Sequence, residues 1–248
     1  MTLQQLITIN KSEQGVLSIC LNRPDKQNAL TQDMYFSMQE AIKSADLDDT
    51  VKVLVIEASG DHFSAGNDIA DFLATDRAIE ETGAVIWLRS IEQFTKPIVV
   101  AVKGNAVGVG TTCLFHCDLV IVADDSKFAM PFTQLGLSPE AGISLLLPKL
   151  VGYHKAAELL MLGSKFTAQE ALDMGLANRV VARSELESTV ADLASQLANL
   201  PSESLRITKQ LLKTEPEPTS ERMTQEFQLF EKQLHSDTAR AIFKKFLS

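Results

Sequence analysis

"KPIVVAVKGNAVGVG", residues 96–110, is the stretch on which the fold turns. Pro97 ends any helix before it, and Ile98 to Val102 follow as an unbroken apolar run. A strand apolar on both faces belongs inside a parallel sheet covered on both sides. Glycines 104, 108 and 110 then open a loop. Upstream, "VKVLVIEAS" (51–59) repeats the pattern as a buried strand from Val51 to Ala58 that ends in a Ser59-Gly60-Asp61 turn. A helical stretch, Ile79–Phe94, lies between the two. Downstream, "LVIVADD" (119–125) is a third such run, and "KFAM" (127–130) a short fourth. Strand, helix, strand, helix, strand predicts an α/β core with right-handed crossovers.

The flanks extend this reading. "LITINKSEQGVLSICLN" (6–22) has two β-type runs around Lys11–Gly15, the pattern of a hairpin. In "ALTQDMYFSMQEAIKSADLD" (29–48), Met34, Met38, Ala41 and Ile42 fall at helical spacing, with Thr31 as N-cap and Asp33 in the first turn. After about residue 145 the pattern turns helical, through "LLLPKLVGYHKAAELLMLG", "TAQEALDMG" and "RSELESTVADLASQLANL". The tail 202–248 reads as two or three more helices broken by "TEPEPTS". These helices carry too much apolar surface to stand alone, so they close over a ligand or a neighbouring subunit.

Composition limits the function classes. The chain has 248 residues, 45% hydrophobic, with a net charge of −9. That is enough for a substantial core, and its sign argues against nucleic acid as a partner. The N-terminal stretch lacks a basic region followed by a long apolar run, and no segment approaches the roughly 20 apolar residues of a membrane span. A cytoplasmic protein without a membrane partner is expected. Cys20, Cys113 and Cys117 each sit in apolar runs and read as buried thiols. Cys113 and Cys117 flank His116, but no second ligand pair accompanies them, so core packing is preferred to a metal site.

Two glycine loops follow buried strands: "HFSAGNDIADF" (62–72) and "GNAVGVGTTCLFHCD" (104–118). Two such loops can aim two backbone N–H groups at one oxygen, the geometry of an oxyanion hole. The second loop lacks the G-x-G-x-x-G order of a dinucleotide site, and neither contains G-K-[ST]. No G-x-S-x-G serine elbow is present. Asp68 and Asp71 read as helix-start charges. His62, His116, His154 and His235 are scattered and have no nucleophile partner. Glu140, in "LGLSPEAGIS" (135–144), is either a helix-start charge or an acid/base in an apolar pocket; its local sequence leaves both open.

Taken together, "LNRPDKQNAL" (21–30), "HFSAGNDI" (62–69), "KPIVVAVKGNAVGVG" (96–110), "DLVIVADDSKFAMPFTQLGLSPEAG" (118–142) and "AAELLMLGSKFTAQEALDMGLANRVV" (156–181) resemble the crotonase (enoyl-CoA hydratase/isomerase) superfamily. The resemblance covers nearly the whole chain. It implies an α/β fold with a ββα spiral core over 1–195 and a helical C-terminal region over 196–248, packed on the core or a neighbouring subunit. It implies a coenzyme A thioester as substrate and a homotrimer or dimer of trimers; with no ligand cluster or nucleotide loop in the sequence, no metal or redox cofactor is expected. The thioester oxygen would sit between the N–H groups of Asn67 and Val109. Ala65, Gly66, Gly108, Phe132 and Leu137 would line the substrate. "ARAIFKKFLS" (239–248) would offer Lys244 or Lys245 to a phosphate, or be a solvated face.

Hydratases of the superfamily carry two glutamates; the matching positions here are Thr112 and Phe132. "LSPEAG" resembles instead the Δ3,Δ2-enoyl-CoA isomerase branch, in which one glutamate, here Glu140, shuttles a proton. A ring-opening isomerase of phenylacetate breakdown has aspartate at that place. The expected activity is therefore conversion of 3-enoyl-CoA to 2-enoyl-CoA. A hydratase with displaced carboxylates, an aromatic ring-opening isomerase and a non-catalytic acyl-CoA-binding protein are the alternatives. Ala129, Phe132 and Leu137 are expected to raise the Glu140 pKa and keep water out.

Overall fold

The hairpin forms as read, with β1 (Ile7–Lys11) antiparallel to β2 (Val16–Leu21). Parallel pairing then runs from β2 to β3 (Val53–Ala58), to β4 (Ile98–Val102), to β6 (Leu119–Ala123) and to β9 (Arg179–Val181), giving the order β1-β2-β3-β4-β6-β9. A second sheet has the order β5 (Asn105–Val107), β7 (Lys127–Ala129), β8 (Phe166–Thr167). The computed structural model describes residues 6–74 and 77–213. The tail reading for 214–248, His235, Lys244 and Lys245 fall outside the described residues.

Period-two alternation sorts the central strands into two cores. Leu54, Ile56, Ile98, Val100, Val102, Val120 and Val122 join one buried cluster with the helix α1 (Gln32–Leu47). Val53, Val55, Val99, Ala101, Ile121 and Ala123 join another. That second cluster is covered by Leu186, Val190, Leu193, Ala194 and Ala198 of a later helix, Leu186–Ala198. Each fully buried aliphatic side chain contributes roughly 1.5–3 kcal/mol, so this covering is what makes a sheet apolar on both faces stable.

Thr31 caps α1 by accepting from the Met34 N–H. The short α2 (Ile69–Leu73) follows the first glycine loop. The helix expected over Ile79–Phe94 divides at Thr82, into a 3-10 turn Ile79–Glu81 and α3 (Gly83–Gln93). α3 packs on α1, with the Tyr35 and Trp87 ring centroids 5.4 Å apart. α4 (Val109–Thr112) leaves the second glycine loop.

The region after 145 is not wholly helical. α5 (Ile143–Val151), α6 (Tyr153–Leu162), α7 (Ala168–Asp173) and α8 (Leu186–Ala198) form, but β8 and β9 lie among them. β9 closes the far edge of the main sheet through Ile121 opposite Arg179 and Ala123 opposite Val181. Segments of two and three residues are too short to show a period, so only the neighbouring strand defines them. The described residues divide into two compact units, one ending at Ala198 and the other beginning at Asn199 and carrying α9 (Ser202–Lys213). None of the described helices is long and apolar enough to cross a membrane.

Candidate active site

Ser64 joins the two glycine loops. It lies in a parallel bridge with Ala106, and its carbonyl accepts from the Val107 N–H at 2.9 Å. Its fully buried hydroxyl donates to the Asn28 carbonyl at 2.9 Å and accepts from the Gly66 N–H at 3.1 Å. Gly66 has φ +91°, and a Cβ there would lie 2.8 Å from the Val107 carbonyl oxygen. Only glycine permits both that conformation and that approach. Gly108, at φ +56° and ψ −120°, is the N-cap of α4, and a Cβ on it would meet nothing within 4 Å. The first loop is thus closed against the second, while the space beside Gly108 is open.

The backbone N–H groups of Asn67 and Val109 follow these glycines. Among the described residues neither has an intramolecular acceptor. The Val109 side chain is buried in the core, so only its main chain is available to a ligand. The Asn67 side chain is held by the fully buried Tyr35, whose hydroxyl donates to Asn67 Oδ1 at 2.5 Å.

Asp68 and Asp71 serve helix starts, as their sequence position suggests. Asp68 caps α2, accepting from the Ala70 and Asp71 N–H groups, and pairs with Arg23 at 2.7 Å. Arg23's hydrogen bond, followed by the backbone donors, holds the Asp68 carboxyl below its usual range. Asp71 serves a different helix: its Oδ2 accepts from the N–H of Gln32, the first residue of α1, at 2.8 Å. His62 accepts from the Asn105 N–H through Nδ1, and His154 packs its ring against Tyr153. Cys113 is buried and Cys117 half-buried, each directing its thiol at a backbone carbonyl. Among the described residues no group of three or more His, Cys, Asp or Glu is placed to hold a metal ion.

Glu140 sits in the turn before α5. Ala141, at φ +54°, and Gly142, at φ +68°, are both left-handed, and the Ile143 N–H donates to the Glu140 carbonyl at 3.0 Å. A non-glycine residue in that region is strained, and His116 Nε2 donates to the Ala141 carbonyl at 2.9 Å to hold it. The turn directs the Glu140 side chain back to α4, where the fully buried Thr112 donates its hydroxyl to Glu140 Oε1. Burial pushes the Glu140 carboxyl above its usual range, and the Thr112 hydrogen bond pulls against that rise. Its charge acts in turn on Tyr35 and Cys113, whose pKa values are raised first by their own burial. A cavity of about 330 Å³ opens here, lined by Val85, Leu88, Arg89 and Glu92 of α3 with His116, Glu140 and the following two residues.

The tertiary fold therefore gathers Asn67, Val109 and Glu140 around α4 and its neighbours. Ala65 and Gly66 belong to the closed first loop, and Gly108 to the second. Ala129 and Phe132 are buried, but Leu137 is 49% exposed and adds little to a dry flank. Sequence reasoning treated Thr112 only as a missing carboxylate and did not find its bond to Glu140, 28 residues on. It also missed Tyr35, which carries no local motif; His116 takes the satisfied role expected of it, on the Ala141 carbonyl.

The enoyl-CoA hydratase/isomerase family pattern matches residues 11–247. Enoyl-CoA delta isomerase 2 of Rattus norvegicus is 40% identical over 208 residues, which is 82% of this chain and 53% of that protein. The chain thus spans about half the length of that relative. The 1,2-epoxyphenylacetyl-CoA isomerase of Escherichia coli (strain K12) is 34% identical over 81% of this chain and 79% of its own. Among solved structures, a putative enoyl-CoA hydratase/carnithine racemase from Magnetospirillum magneticum AMB-1 superposes with a TM-score of 0.94 at 41% identity, covering 98% of this chain and 95% of that one.

Proposed function

Because the chain belongs to the enoyl-CoA hydratase/isomerase family, with its crotonase fold, we propose that it moves the double bond of a 3-enoyl-CoA into conjugation, giving the 2-enoyl-CoA. Glu140 takes the C2 proton. The C–H electrons pass into the C1–C2 bond and the thioester oxygen becomes that of a dienolate. The Asn67 and Val109 N–H groups stabilise this oxygen, since fixed donors need no reorganisation as charge develops. Glu140 then returns the proton to C4, leaving the double bond between C2 and C3.

The observation that carries this reading is the Thr112–Glu140 hydrogen bond. Where hydration would employ a second carboxylate, this site has a hydroxyl that neither takes nor releases a proton near neutral pH. Phe132, at the other hydratase position, is apolar and buried. A carboxylate raised by burial suits a general base, whose pKa is most useful near the working pH. No metal or redox cofactor enters the mechanism.

The test is turnover on a panel of 2-enoyl, 3-enoyl and ring-epoxide CoA thioesters. Absorbance of the conjugated thioester reports isomerisation, and a mass gain of one water reports hydration. Isomerisation of 3-enoyl-CoA without hydration of 2-enoyl-CoA is expected. The similarity to a 1,2-epoxyphenylacetyl-CoA isomerase supports a second reading, ring opening, which the epoxide arm detects. Tight acyl-CoA binding with no turnover on any substrate would make this a binding protein.

We infer also a homotrimer or a dimer of trimers. Leu145, Leu150, Tyr153, Met161 and Leu162 on α5 and α6 are all at least 40% exposed, an apolar surface suited to a neighbouring subunit. Sedimentation as a monomer at micromolar concentration would overturn the assembly.

A further inference from the structure

Resting on the proton-shuttle reading above, the geometry points to Thr112 as a positioning residue that holds Glu140 Oε1 and leaves Oε2 to take and return the proton. Thr112 is fully buried, and its hydroxyl has Glu140 as its acceptor. Oε2 has no hydrogen-bond partner among the described residues, and it is not sealed in the protein. One carboxylate oxygen is therefore fixed and the other is accessible.

The anchor of this contact matters as much as its chemistry. Thr112 ends the single turn that begins at Val109, and its N–H donates to the Gly108 carbonyl at 2.9 Å. At 1.5 Å rise per residue, the hydroxyl-bearing residue is about 4.5 Å along the helix axis from the proposed thioester donor. The same short helix thus presents the oxyanion donor at its start and holds the base at its end. Charge developing on the thioester oxygen and the proton leaving C2 are kept in one frame, and small misplacements of a catalytic group are costly.

Its neighbour shows that the contact is not a general property of buried threonines here. Thr111 is equally buried, but its hydroxyl donates to the backbone carbonyls of Ala106 at 2.6 Å and Ala129 at 3.2 Å. Thr111 ties α4 to the small sheet, whereas Thr112 ties it to a carboxylate. The other titratable groups facing Glu140 are Tyr35 from α1, Cys113 and His116 from the turn after α4, and Arg89 and Glu92 across the cavity from α3.

The experiment is the pH dependence of kcat/KM for 3-enoyl-CoA in the wild type, Thr112→Val, Thr112→Ser, Thr111→Val and Glu140→Gln. Valine keeps the shape and removes the donor, so the ionised carboxylate loses a stabilising bond and its pKa rises. The acid limb of the profile should move up by about one pH unit. Below that limb the rate should fall about tenfold per unit with little change in KM. Serine should restore the wild-type position, and Thr111→Val should lower stability without moving the limb. An unshifted limb in folded Thr112→Val, or an equal shift in Thr111→Val, overturns the assignment. Should the valine variant not fold, Thr112→Ala also removes the donor with a smaller side chain, and an unshifted limb there has the same force. Full activity in Glu140→Gln would instead remove the shuttle reading itself, so the two failures are distinguishable.

Discussion

Asp68 and Glu140 are carboxylates in two loops of the same site, and their surroundings push them in opposite directions. Asp68 has a guanidinium at 2.7 Å and two backbone N–H donors, and it is held ionised. Glu140 has one hydroxyl, no basic side chain in its hydrogen-bond shell among the described residues, and an environment that resists its charge. The first arrangement fixes a loop, and the second makes the carboxylate a stronger base than an ordinary one. Carboxylate chemistry is the same in both; the environment separates structure from reactivity.

Glu140→Gln should break this contrast most severely. The amide keeps the size and can still accept from Thr112, but it cannot take the C2 proton. General acid–base groups contribute roughly 10²–10⁴-fold, and in the proposed mechanism one group serves both transfers, so the loss should sit at or above the upper end. Acyl-CoA binding should survive, as titration calorimetry would show. Near-wild-type isomerisation would end the mechanism.

The donor side of the site comes next. Val109→Pro deletes the N–H, and loss of one such donor costs roughly 2.7–4 kcal/mol in the transition state. Val109→Ala keeps it and should keep most of the rate, although truncating a buried side chain lowers the melting temperature. Equal rate losses in folded alanine and proline variants would assign the role to the side chain. Because proline also constrains the loop, circular dichroism must accompany the rate.

The smaller effects sharpen the contrast through stability. Glu140 has a raised folded-state pKa, so its carboxyl makes stability fall as pH rises from the unfolded value through the folded one. Glu140→Gln removes that burden and should melt above the wild type at neutral pH, the opposite of its effect on rate. Asp68 has a depressed folded-state pKa, so its stabilisation is present above the unfolded value and disappears as pH falls through the folded one. Asp68→Asn should therefore melt below the wild type at neutral pH, converge with it in acid, and lose less activity than Glu140→Gln. Thermal melts of both variants against pH check the two signs together.

Sequence alone determined the layered α/β plan, because apolar runs such as Ile98–Val102 have no other stable place than a sheet covered on both faces. It also marked the two glycine loops and Glu140, since glycines after strands and a carboxylate among apolar residues are local signals. Only the tertiary structure decided what lies beside that carboxylate. Thr112, Tyr35, His116 and the α3 wall come from separate elements, and nothing in their local sequence connects them. β9 was illegible for the same reason: three residues have no period of their own, and β6 supplies their partners. Patterns within one element are written in the order of its residues, whereas a pKa depends on desolvation and on donors brought together by the fold.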